Sequence, residues 1–120
     1  MQSFLKPTAC INLPVARLKK SAKFYCEKLG FREVYRDDQL GWLELAQLDG
    51  PLRIGLAEVQ DVEPGGAVLV LEVSDIEAAK QALELEKIRV SDVSLVEGVA
   101  RLASFSDPDD HLLMLRESIG

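Results

Sequence analysis

The sequence predicts an α+β fold: two βαβββ modules whose mixed sheets form a cup, with one helix on the outer face of each. Three observations lead there. The second half of the chain repeats the hydrophobic pattern of the first. Each half opens on an alternating apolar strand followed by a helical apolar stripe. The remaining runs are short, strand-like and separated by turn residues, the last turn being Asp107-Pro108-Asp109-Asp110.

In chain order, Thr8 to Val15 sets Ile11, Leu13 and Val15 against Cys10, Asn12 and Pro14, the period-two pattern of a strand with two unlike faces. Leu18 to Leu29 carries Leu18, Ala22, Tyr25, Cys26 and Leu29 on one helical stripe, with Lys19, Lys20, Lys23 and Lys28 largely off it. Gly30 is the natural stop. Strands are expected at Phe31–Arg36, Gly41–Leu48 and Leu52–Glu58, with Asp49-Gly50 as a hairpin turn. Asp61 to Gly66 reads as a linker. Ala67–Val73 is the next strand, and Ser74-x-x-Glu77 is a capping box opening a helix to about Glu86. Strands at Arg89–Val96, Val99–Ser106 and His111–Arg116 complete the chain.

The repeat is explicit. An offset of 58 residues lays Ile11 on Leu69, Leu13 on Leu71, Val15 on Val73, Leu18 on Ile76 and Ser21 on Ala79. By the last strand the offset has grown by one, so Ile54, Leu56 and Glu58 fall on Leu113, Leu115 and Glu117. Such self-similarity is structural information in itself. The expectation is a single domain over residues 1–120: module 1 (1–60), linker (61–66) and module 2 (67–120).

At the closing turn, Pro108 fixes its own φ and pushes Asp107 to an extended conformation, and the following aspartates turn the chain through local hydrogen bonds. This turn, and the run Val15-x-x-Leu18-x-x-Ser21-x-x-Phe24-Tyr25-x-x-x-Leu29-Gly30-Phe31, resemble the vicinal oxygen chelate superfamily of glyoxalases, bleomycin-resistance proteins and dioxygenases. With the repeat, the resemblance covers nearly the whole chain. Two residues depart from its pattern. Arg17 replaces a frequent Asp, and Asp110 stands where Gly is usual, although Asp tolerates the left-handed backbone better than most residues.

A net charge of −6 leaves no basic patch for phosphates and so argues against a nucleic-acid partner, while suiting a cationic ligand. Cys10 and Cys26 form no Cys-x-x-Cys spacing and read as free thiols in a reducing compartment. Lys6-Pro7 breaks the N-terminal apolar stretch, and no run reaches the roughly 18 apolar residues of a membrane span. The expected location is therefore the cytoplasm, with no membrane partner.

The resemblance implies a divalent metal inside the cup, held by His and Glu side chains from the first and last strands of each module. The corresponding positions here are Cys10, Gly55, Val68 and Met114, of which only the thiol could ligate. The one histidine, His111, is out of phase with Met114 and reads as a turn-flanking residue. No serine has a histidine base within a plausible arrangement, and Gly65-Gly66 follows no strand that would make it a phosphate loop. Alternation instead puts Trp42, Glu44, Arg53, Val68, Val70 and Met114 on the concave surface, with Tyr35 and Arg101 joining them and Cys10 and Asn12 on the first strand. An aromatic wall, an aliphatic floor and a few charges suit a small-molecule pocket.

The expected function is metal-independent binding of a small organic molecule, cationic or aromatic, resembling bleomycin-resistance-type sequestering proteins. It implies no cofactor and no catalytic residue. The resemblance also implies a homodimer, consistent with long strand edges. The alternative is a metal-dependent lyase, isomerase or oxygenase using non-standard ligands from Glu33, Glu44 or Glu58. A subunit or regulatory partner with a filled cup is a third reading.

Overall fold

The structure, a computed structural model, describes residues 10–119. Lys6-Pro7, and Thr8-Ala9 of the expected first strand, lie outside that range. The chain divides between Glu63 and Pro64 into two compact units. The first runs β1 (Ile11–Val15), α1 (Leu18–Lys23) leading into a π-helical turn (Phe24–Lys28), β2 (Arg32–Asp37), β3 (Trp42–Ala46) and β4 (Arg53–Glu58). The second runs β5 (Leu69–Glu72), α2 (Ile76–Leu85), β6 (Ser94–Val96), β7 (Ala100–Ser106) and β8 (Leu112–Ser118). Their sheets have matching orders, β1-β4-β3-β2 and β5-β8-β7-β6. In each, the first strand pairs parallel to the last and the others pair antiparallel. The repeat in the sequence is thus a repeat of topology: two mixed four-stranded sheets, each with one principal helix.

Alternation decides the faces. Leu13, Leu43 and Leu56 form one register row, and Leu45 and Ile54 the next. All are buried, with Leu18 and Tyr25, on the side where α1 meets β3 and β4. In the second unit Leu69, Leu113 and Phe105 form a row, and Leu115 and Ala103 another, buried with Ile76 and Leu83 beside α2.

Three elements differ from expectation. The first helix is α-helical only to Lys23 and then widens, a change that accompanies burial of the adjacent Phe24 and Tyr25, whose rings meet edge-on at 5.2 Å. Asp75, not Ser74, caps α2: it is extended, and its carboxylate accepts from the Ala78 amide at 3.1 Å. The expected strand Arg89–Val96 pairs only over Ser94–Val96. At Ser91 the hydroxyl accepts from the Ser104 amide at 2.8 Å while the Ser91 amide donates to the Ser104 carbonyl at 2.9 Å, so a side chain replaces one rung of the ladder.

The Asp-Pro-Asp-Asp turn forms as the residues suggest. Asp107 is buried, and its Oδ1 accepts from the amides of Asp109 (2.9 Å) and His111 (2.8 Å). Asp110 takes the left-handed conformation at φ 66°. His111 is buried here, and its amide and carbonyl are both engaged by Asp107.

Each helix start is also tied to the end of its unit's last strand. Glu58 Oε2 accepts from the Leu18 amide at 2.8 Å, and Glu117 Oε1 accepts from the Ile76 amide at 2.8 Å. Glu58→Ala and Glu117→Ala should each destabilise the protein by about 0.5–2 kcal/mol, the range for losing a helix cap. Urea denaturation is the measurement. The larger loss is expected at Glu117, which also holds Arg101 at 2.8 Å.

Candidate functional site

The helix leaves one face of each sheet uncovered by its own unit. On the first sheet, Glu44 stands opposite Gly55 on one side and Tyr35 on the other, and Asn12 lies beyond Gly55, so these four occupy one row. Tyr35 reaches that face through a bulge: Glu33 pairs with Leu45 and Tyr35 with Glu44, the register shifting between them. Tyr35 is 54% exposed. Cys10, one residue before β1, is exposed and in phase with Asn12.

Trp42 dominates this surface. A β-carbon at residue 55 would overlap Cη2 of Trp42 and lie 2.6 Å from Cζ2 and 2.8 Å from Cζ3. The indole therefore crosses the backbone of Gly55. Trp42 is half-buried, while Gly55 is buried despite having no side chain of its own.

Charge sits beside the ring. Arg53 Nη1 lies 3.5 Å from Glu44 Oε1, with the two side chains 41% and 24% exposed. A pair this long and this exposed contributes little to stability. Both groups act on Cys10: burial is the main influence raising its thiol pKa, Glu44 raises it further, and Arg53 opposes them. Cys10, Glu44 and Arg53 are thus electrostatic neighbours, and with Trp42, Asn12 and Tyr35 they share the face that alternation assigned them.

The second sheet's corresponding face is mostly aliphatic. Val70, Met114 and Ser104 form a row, and Leu112 lies one step along β8. Val68 precedes β5 in the alternation phase of Val70, and both are exposed. The far end is polar: Ser118 donates to Glu72 at 2.6 Å and accepts from Arg116 at 3.2 Å. Arg101 does not belong to this face. It pairs with Glu117, in phase with Leu115 and Ala103, on the α2 side of the sheet. A single step in phase is enough to reverse a side chain.

The residues do not suit a divalent metal. Among the described residues no three His, Cys, Asp or Glu side chains come together in a group that could hold one. At the positions implied by the resemblance, only the Cys10 thiol could ligate such a metal, and the Gly55 position is covered by the Trp42 ring. The alternative carboxylates do not converge either. Glu44 is on the uncovered face, whereas Glu33 and Glu58 pair in phase with Leu45 and Val15 on the helix side. Glu33 is held by Arg36 at 2.8 and 3.1 Å, which lowers its carboxyl pKa, and Glu58 caps α1.

A depression of about 370 Å³ also lies along α2, lined by Asp75, Glu77, Lys80, Gln81 and Glu84 among others. It draws on one helix alone and opens to solvent, so it lacks the convergent walls of a binding site. Sequence reasoning missed the seat that Gly55 provides. A glycine inside a strand, which often marks close approach of another group, was the available signal.

A family model described as the Glyoxalase/Bleomycin resistance protein/Dioxygenase superfamily matches residues 8–115. No curated protein matches the chain. Among solved structures, TnmS3, an antibiotic binding protein from Streptomyces sp. CB03234, superposes with a TM-score of 0.84 at 23% identity, over 98% of this chain and 100% of that one. A glyoxalase/bleomycin resistance protein from the same source gives 0.73 at 26% identity, over 90% and 97%. A bleomycin resistance determinant encoded on the transposon Tn5 gives 0.75 at 26% identity, over 93% and 98%.

The electrostatics around Cys10 are testable by alkylation, since only the thiolate reacts. In a Cys26→Ser background, the iodoacetamide rate should rise with pH around a midpoint above the ordinary thiol value of 9.0. Glu44→Gln should lower that midpoint and Arg53→Gln should raise it.

Proposed function

The chain belongs to the glyoxalase/bleomycin resistance protein/dioxygenase superfamily, and we propose that this member binds a small organic molecule without a metal ion and without breaking a bond. The observation that carries the proposal is the Trp42 indole lying across Gly55, with Glu44 and Arg53 beside it. A flat aromatic surface next to a weakly paired carboxylate and guanidinium favours a planar ligand bearing a cationic or hydrogen-bonding group. In this reading Glu44 receives the cationic part, Arg53 a carbonyl or anionic part, and Asn12, Tyr35 and Cys10 border the contact. On the second sheet, Val68, Val70 and Met114 present an apolar surface of their own.

The Tn5 relative, named for bleomycin resistance, supports a drug-type ligand. We further propose a cytoplasmic homodimer. Exposed apolar side chains such as Leu40, Leu95 and Leu112 support a second copy, and two free cysteines suit a reducing compartment. No helix among the described residues is long and apolar enough to cross a membrane.

Bleomycin is the first probe. Its titration should change the emission of Trp42, the sole tryptophan. Trp42→Ala should weaken binding by about 1–3 kcal/mol in a folded protein, as for a stacked aromatic anchor. Unchanged affinity in that variant would place the ligand elsewhere.

Elemental analysis of the purified protein should find no stoichiometric Mn, Fe, Ni or Zn. A stoichiometric metal that disappears on mutating Glu44 would favour the lyase, isomerase or oxygenase reading instead.

A further inference from the structure

We infer that Gly55 is a specificity-determining position: it is the seat of the Trp42 ring, and its missing side chain sets how deeply a planar ligand reaches the first sheet. The inference rests on the binding reading above and deepens it, because it assigns a role to a residue with no side-chain chemistry.

The geometry is specific. Trp42 pairs with Ala57, and Glu44 with Gly55, so Trp42 and Gly55 are diagonal neighbours on one face. Side chains at this spacing reach one another when one of them is long and aromatic. The overlap that a β-carbon would create involves Cη2, Cζ2 and Cζ3, all in the six-membered part of the indole. That part of the ring therefore rests on the strand backbone instead of standing away from it. Carbon atoms need about 3.5–4.0 Å of separation, so one methyl group at residue 55 must tilt or lift the ring.

The backbone gives Gly55 no other evident reason to be glycine. It is not among the residues with positive φ, and it keeps regular pairing with both Asn12 and Glu44. Glycine inside a strand weakens it through entropy and lost packing. Here the indole refills the space, and Gly55 is buried as a result. The half-buried ring then lies next to Glu44, which shares the Gly55 row, and to Arg53 one row further along. A lifted ring would fill the space that a stacked ligand needs. Gly55 is thus a positioning residue acting through Trp42, and the ligand class it selects is flat and conjugated.

The test separates seat from ligand. Without any ligand, Gly55→Ala should increase acrylamide quenching of the single tryptophan and shift its emission to the red. Unchanged quenching in the folded variant would overturn the seat. With bleomycin as probe, Gly55→Ala should weaken binding roughly tenfold, equivalent to about 1.4 kcal/mol and within the range of one aromatic stacking contact. In a Trp42→Ala background the same change should alter affinity by less than about twofold, because the two residues act as one unit. An equal tenfold loss in that background would show that Gly55 does not act through Trp42. If Gly55→Ala fails to fold, the Trp42→Phe/Gly55→Ala pair decides: recovery with the shorter ring supports the overlap, and continued failure overturns it. If the wild-type protein does not bind bleomycin, the drug-type ligand is what fails, and the quenching comparison still decides the seat.

Discussion

A carboxylate at the end of one strand holding the first amide of a helix is the constraint on which both units depend. A helix start leaves four amides without intrahelical partners. In α1 the local sequence does not supply a cap: Arg17 makes no side-chain capping bond, and the first turn holds no acidic residue. Glu58 supplies it from the last strand of the unit, 40 residues away in sequence. In α2 the local cap of Asp75 is joined by Glu117 from β8. The bond ties the helix to one face of its sheet. Alternation then leaves the other face clear of that helix, and every candidate ligand-binding residue except Arg101 is found there.

The two free faces are chemically unlike. That of the first sheet concentrates an aromatic ring, an ion pair and a thiol, whereas that of the second is aliphatic with a polar end formed by Glu72, Arg116 and Ser118. This asymmetry arises although the topology repeats, because the repeat concerns only residues in helix-facing phase. Ile54 and Leu113, or Glu58 and Glu117, perform the same task in each unit. Gly55 and Met114, which alternate with them, do not. The helix-facing residues are held alike by packing and capping, and the others are released to differ.

The arrangement around Trp42 suits recognition better than stability. An ion pair of 3.5 Å between partly exposed groups is worth little to the fold and can be given up to a ligand at little cost. The indole seat places apolar surface beside those charges without adding another side chain from the neighbouring strand. The thiol of Cys10, raised by burial and by Glu44, is not tuned as a nucleophile. In the proposed binding reading it forms a wall of the site.

Much of this architecture was legible in the residues themselves. Period-two alternation against a helical stripe, repeated at an offset of 58, is enough to specify two βαβββ modules, since only one face of each element can meet the core. The same alternation placed Trp42, Glu44 and Arg53 together, and the short-range chemistry of Asp107 and Asp110 determined the closing turn. What alternation could not reach were effects that depend on a partner distant in the chain. Arg101 lies on the helix side because its strand registers against Glu117, and the bulge that sets Tyr35, found on the expected face, opposite in phase to Glu33 shows only in the strand pairing. Asp75 displaced Ser74 as the cap through a one-residue difference in where the helix begins. The emptiness of Gly55 acquired its meaning only when the fold laid the Trp42 ring across it, for a missing side chain has no pattern of its own until a neighbour occupies its space.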